Sequence, residues 1–307
     1  MHRAHLLLAG LIALLLALTG CQSTQNGQAL FPASQGPVIM RFGSEQFTEA
    51  DFARRLDRDI GDAILSLIAQ GQTPDQIEQL AIDSDIRRQI FDQWVQDLLL
   101  GRYALQHGIG VDPARVDNEV LSGLAPIPGS PFLITTDQRV RSARNQQVFA
   151  VIARHTTAPM TNARTILVTD QAQADAIMAD LAAGAAFASL ASTRSLDPIS
   201  GANGGDLGWL PPNSLAPELE QAIAEADLNS PFTLPLPQGV FVIEVLERDP
   251  NRSFASFDAL AAHPDAQQFY EASFVPWFEG LRNEAQQSGE LVIAPNFDPN
   301  SVPLPFP

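Results

Sequence analysis

Apolar residues recur at helical spacing through most of the first half of the chain. Val38-Ile39-Met40-Arg41-Phe42-Gly43 predicts a short strand and a turn, and Thr48-Glu49-Ala50-Asp51 has the form of a capping box that opens a helix toward Gly71. Thr73-Pro74 repeats the start signal, a cap followed by proline at the first helical position. Ile86, Ile90, Phe91, Trp94, Val95, Leu98 and Leu99 then mark one face of a long helix that stops at Gly108. Asp112-Pro113 starts a shorter helix, Ala125 to Pro131 is a Pro/Gly break, and Thr136 or Asp137 opens a last helix through about His155. Apart from the first strand, this region reads as helical and amphipathic.

At Ala158-Pro159 the pattern changes. Arg164 to Val168 reads as a strand and Ala172 to Leu181 as a helix closed by Gly184. A Gly-rich loop and a helix from Pro217 to Ala226 follow, then Gly239 to Val245, an apolar run of the kind found in buried strands. Strand, helices and strand predict a small α+β domain. After Asp249-Pro250 the chain returns to helix, roughly Pro264 to Gln287, with Phe269, Phe274, Trp277, Phe278 and Leu281 on its apolar side. So much aromatic surface requires a partner, which we expect to be the first helical region. The tail from Asn296 to Pro307 is proline-rich and reads as extended.

The N-terminus differs from all of this. Leu6 to Leu18 is a hydrophobic run behind Arg3, too short to span a membrane, and it reads as a secretory signal. It closes on Leu18-Thr19-Gly20-Cys21, which resembles a bacterial lipobox; that likeness implies a diacylglyceryl thioether on Cys21 and membrane anchoring. Gln22 to Pro37 is small and polar, a tether. The expected domains are a signal peptide over 1–20, the tether over 21–37, a helical domain over 38–160, an α+β domain over 161–249, and a C-terminal helix with tail over 250–307.

Composition excludes much. The net charge is −17, which argues against a nucleic-acid partner. Every one of the 18 basic residues is arginine, so a Schiff-base lysine and a Walker-type phosphate loop are both absent. Cys21 is the one cysteine, and His107, His155 and His263 are far apart in sequence, so neither a disulfide nor a metal site is expected. Gly201, Gly204, Gly205 and Gly208 do not form a dinucleotide fingerprint. No cofactor is implied.

Three blocks carry a resemblance. Ala163-Arg164-Thr165-Ile166-Leu167-Val168 precedes a helix ending in Gly184-Ala185-Ala186-Phe187; Ser195-Leu196-Asp197-Pro198-Ile199-Ser200 leads into Gly204-Gly205-Asp206-Leu207-Gly208-Trp209; and Pro217-Glu218-Leu219-Glu220 is followed by Gly239-Val240-Phe241-Val242-Ile243-Glu244-Val245. In this order and spacing they resemble a parvulin-type peptidyl-prolyl isomerase domain over about 161–249. The N-terminal region and the closing helix are similar to those of SurA- and PrsA-like exported foldases. An X–Pro bond has a rotation barrier of about 18–20 kcal/mol, and catalysis means favouring the twisted amide over either planar form. The family resemblance implies an apolar grip on the proline ring and polar groups around the amide.

Carried over by position, the resemblance places Leu207, Leu215 and Leu219 in the apolar grip. The polar positions depart from the family: Thr165 and Phe241 stand where it has histidines, Pro198 at its Cys or Asp position, and Leu236 and Gln238 at its Thr and Ser. Asp197 matches a turn acid. Thr165, Asp197 and Gln238 form at best a reduced polar network. The expectation is a lipid-anchored, extracytoplasmic folding factor that binds unfolded exported polypeptides with X–Pro bonds, its isomerase activity weak or lost. The alternatives are a fully active isomerase that relies on the apolar grip and a structural lipoprotein of the cell envelope.

Overall fold

The computed structural model describes residues 36–117 and 136–306. The signal, the lipobox with Cys21, nearly all of the tether and the Ala125–Pro131 break lie outside them. In chain order the elements are β1 (Val38–Phe42), β2 (Glu45–Thr48), α1 (Glu49–Ala69), α2 (Pro74–Asp83), α3 (Ile86–Gln106), α4 (Thr136–His155) and β3 (Thr157–Val168). There follow α5 (Gln171–Ala182), α6 (Phe187–Arg194), α7 (Pro198–Ala202), β4 (Asp206–Leu210), α8 (Pro217–Glu225), β5 (Phe232–Leu236) and β6 (Gly239–Ser253). The last are α9 (Phe257–Ala261), α10 (Ala266–Phe269), α11 (Val275–Gln287) and β7 (Leu291–Ile293). They form two compact units, one of residues up to Ile152 together with Pro276–Pro307, the other of Ala153–Val275.

The first unit is helical, with a small sheet in the order β2-β1-β7. The capping box read at Thr48 forms, with Thr48 accepting from the Asp51 amide while Asp51 accepts from that of Thr48; the cap read at Thr73 also forms, and Gln76 completes a second box there for α2. The long helix α3 buries Ile90, Phe91, Trp94, Val95, Leu98 and Leu99, the face its spacing marks. Trp94 stacks on Phe52 of α1 at 6.2 Å and meets Phe47 edge-on at 5.0 Å. The C-terminal segment returns to this unit: Trp277 meets Tyr103 of α3 edge-on at 5.1 Å, and β7 pairs antiparallel with β1. The expected closing helix is in fact interrupted, with α10 running into a π-helical turn over Tyr270–Phe274 before α11.

The second unit is one antiparallel sheet in the order β4-β3-β6-β5, flanked by helices, so the α+β expectation holds. Strands β3 and β6 are much longer than their apolar runs, because pairing continues through polar residues to Thr157 opposite Ser253. The ladder shifts register between Ala158 and Met160, at Pro159, where Pro250 also falls on the partner strand; two residues without N–H groups are tolerated at such an irregularity. Alternation sorts the sheet into two faces. Ile166, Val168, Val240 and Val242 face a core with Ala174 and Ile177 of α5 and Phe187, Leu190 and Ala191 of α6. Ala163, Ile243 and Val245 face the other way, against Leu219 and Ile223 of α8.

Candidate functional site

The second face is where the sequence-predicted residues meet. Register places Thr165 opposite Ile243 and Leu167 opposite Phe241 on β6, while Phe232 and Leu234 of β5 stand opposite Ile243 and Phe241. Period-2 geometry therefore puts Thr165, Phe241, Phe232 and Leu234 on one surface. Leu215 and Leu219 reach it from the loop before α8 and from α8, and Leu210 from β4. Leu219 and Ile243 are buried, whereas Phe241, Leu215, Phe232 and Leu234 are half-buried. The result is an apolar surface with a sealed floor and partly open walls.

Thr165 is the polar group of this face. It is 4% exposed, and its Oγ1 has no hydrogen-bond partner among the described residues. Its amide donates to Gly205 O at 2.8 Å, which ties β3 to the Gly-Gly turn. That turn explains the motif. Gly205 has φ +85°, and a Cβ there would lie 2.5 Å from Thr165 O and 3.0 Å from the Phe187 ring; only glycine lets the loop approach so closely.

The other candidates are placed differently. Asp197 is the N-cap of α7: it accepts from Ile199 N at 3.0 Å and from the Ser200 hydroxyl and amide. The Ser200 hydroxyl, helped by the Ile199 amide, holds its carboxyl below the usual carboxylate range. Gln238 is exposed in the two-residue turn between β5 and β6. Leu207 is half-buried on β4, where the pairing with β3 shifts register. Thus Thr165, Phe241, Leu215 and Leu219 converge, while Asp197 and Gln238 occupy turns. The sequence reading missed Leu210, Phe232 and Leu234. The alternation Phe232-Thr233-Leu234-Pro235-Leu236 carried the signal, but Pro235, without an N–H for a ladder bond, masks it.

Arg164 points to the opposite face, where its guanidinium pairs with Glu244 at 2.6 Å and lies 4.4 Å over the Phe187 ring. Among the described residues no group of three or more His, Cys, Asp or Glu side chains is arranged to hold a metal. No helix among them is long and apolar enough to cross a membrane.

Comparison with known proteins gives this module its class. Residues 138–249 match the family model described as PPIC-type PPIASE domain, and residues 3–124 match that described as SurA-like N-terminal domain. The chain thus carries a PPIC-type (parvulin) peptidyl-prolyl isomerase domain behind a SurA-like N-terminal domain. Foldase protein PrsA of Halalkalibacterium halodurans is 28% identical over 244 residues, 75% of this chain and 68% of that protein. Chaperone SurA of Alkalilimnicola ehrlichii is 39% identical over 109 residues, 34% of this chain and 24% of that protein. The chain therefore spans about two thirds of the length of this PrsA but only about a quarter of this SurA. Among solved structures, the parvulin domain of PpiD from E. coli is 27% identical, covering 31% of this chain and 93% of that one, with a TM-score of 0.29. PrsA from Bacillus anthracis is 19% identical, covering 68% and 100%, with a TM-score of 0.30.

Proposed function

We propose that this protein is a membrane-anchored extracytoplasmic folding factor that binds unfolded exported polypeptides, with a parvulin domain of weak isomerase activity. The observation that carries the reading is the composition of the sheet face. Leu215, Leu219, Phe232, Leu234 and Phe241 offer an apolar seat for a proline ring, while the two strand positions where the family resemblance implies imidazoles hold Thr165 and Phe241. Burial of an apolar ring on such a surface supplies grip without selectivity for the twisted amide. Loss of polar groups aimed at a transition state costs about 10²–10³ in rate.

The test measures proline isomerisation of an Ala-X-Pro peptide and aggregation of a denatured client on the same lipid-free protein. We expect kcat/KM about 100-fold or more below that of a parvulin with both histidines, together with suppression of aggregation. Turnover equal to such a parvulin would overturn the weak-site reading. One polar group shares that face: the Thr165 hydroxyl is buried and without a hydrogen-bond partner among the described residues, so it meets a substrate amide only if the face opens. Thr165→Val decides its role, since an isomerase that uses the hydroxyl loses turnover while client binding stays. For anchoring, Cys21→Ser is expected to move the protein from the membrane fraction to the soluble one.

A further inference from the structure

The proline-rich tail is neither free nor simply extended. Within the first unit Phe297 enters the aromatic cluster of α1 and α3, with its ring 6.0 Å from that of Phe52 and 5.2 Å from that of Phe91. Val302 and Leu304 are 4% and 6% exposed. Arg87 of α3, itself 1% exposed, donates from Nε to the Val302 carbonyl at 2.8 Å, while its Nη2 is held by both oxygens of Glu78 at 2.7 Å. A buried guanidinium that holds a backbone carbonyl reads polypeptide in a way indifferent to side-chain identity.

Three features distinguish this arrangement from ordinary core. Beyond Ala294, whose amide bonds to Ile39 O, the tail's backbone bonds are local turns, as from Ser301 N to Asp298 O and Val302 N to Pro299 O. Its polar ties to the helices, apart from Arg87, are exposed: Asn300 to Asp85 at 3.1 Å and Arg88 to Asp298 at 3.5 Å, contacts of little net worth. And Nη1 of Arg87 is buried without a hydrogen-bond partner among the described residues, so the site offers donor capacity that the tail does not use. The tail's chemistry, apolar residues placed before prolines in Val302-Pro303, Leu304-Pro305 and Phe306-Pro307, is that of the X–Pro segments expected in a client.

We propose that the C-terminal tail is a built-in occupant of a polypeptide-binding site on α1 and α3, and that an extended client segment displaces it, its backbone carbonyls taken by Arg87. This rests on the client-binding reading above. The test is hydrogen exchange of the full-length protein with and without reduced, carboxymethylated α-lactalbumin, a permanently unfolded client. The amides of Phe297, Ser301 and Val302 should exchange at least 10-fold faster when the client is bound. A bound client with those amides equally or better protected overturns the proposal and leaves the chaperone reading intact, whereas absence of any binding sinks that reading. As a second measurement, Val302→Asp/Leu304→Asp, which expels the tail, should bind the client about 10-fold more tightly, and a peptide of residues 296–306 should compete. A folded variant with unchanged or weaker affinity contradicts displacement.

Discussion

Gly205 concentrates the chemistry of its motif in one missing Cβ. Its φ of +85° is strained for any L side chain, and the 2.5 Å approach to Thr165 O leaves backbone, not a flexible side chain, to give way. Gly205→Ala should therefore cost about 3 kcal/mol, the sum of a left-handed residue and a local backbone shift, and urea titration reads it directly. Asp197 is a gentler case. Its carboxyl pKa is lowered by the Ser200 hydroxyl first and the Ile199 amide second, so its contribution is fully present above the ordinary carboxylate pKa and is lost as pH falls through the depressed folded value. Asp197→Ala should cost about 1 kcal/mol at neutral pH, as for other N-caps, and the gap from wild type should narrow as pH falls below about 4. A gap that persists unchanged at pH 2 contradicts the part played by the ionised carboxylate in the cap. Neither residue's role depends on touching substrate, which is why a motif so specific for the fold says little about turnover.

Elements differ in how far their sequences announce them. The starts of helices α1 and α2 were legible because Thr48 with Asp51, and Thr73 with Pro74, fix them locally. Strands β4 and β5 were not, because five-residue edge strands that contain Gly208 or Pro235 look like loop until a partner pairs with them. The apolar site face is a product of that pairing: Thr165 and Phe241 are 76 positions apart, and only the β3–β6 register sets them on one surface. Between α1 and α3 a different long-range device operates. Arg55 is 3% exposed and bonds Asp59 and Asp97, each at 2.7 Å. Burial works against its charge, yet Asp97 and then Asp59 more than offset this and hold its pKa above the usual value. Asp97→Ala removes one partner, leaves Gln93 without its acceptor, and strands part of a buried cation. The expected loss is about 3 kcal/mol or more, measured by chemical denaturation, with Asp97→Asn losing less.

At the scale of the whole molecule the decisive feature is that the sheet unit, Ala153–Val275, is a continuous stretch inserted into a unit built from both ends of the chain. The inserted unit contains its own two cores, one on each face of its sheet, so it has the contacts needed to fold without the terminal segments. The outer unit must instead bring β7 to β1 across the whole insertion, a loop closure whose entropic cost is reduced once the insertion is compact. Two compact units, each with its own buried side chains, predict two separable thermal transitions. Asp97→Ala should lower only the transition of the terminal unit, and Gly205→Ala only that of the sheet unit. Differential scanning calorimetry of the two variants beside the wild type checks this. If either substitution moved both transitions equally, the two units would share one cooperative core, and their separation into a terminal unit and a sheet unit would lose its thermodynamic basis.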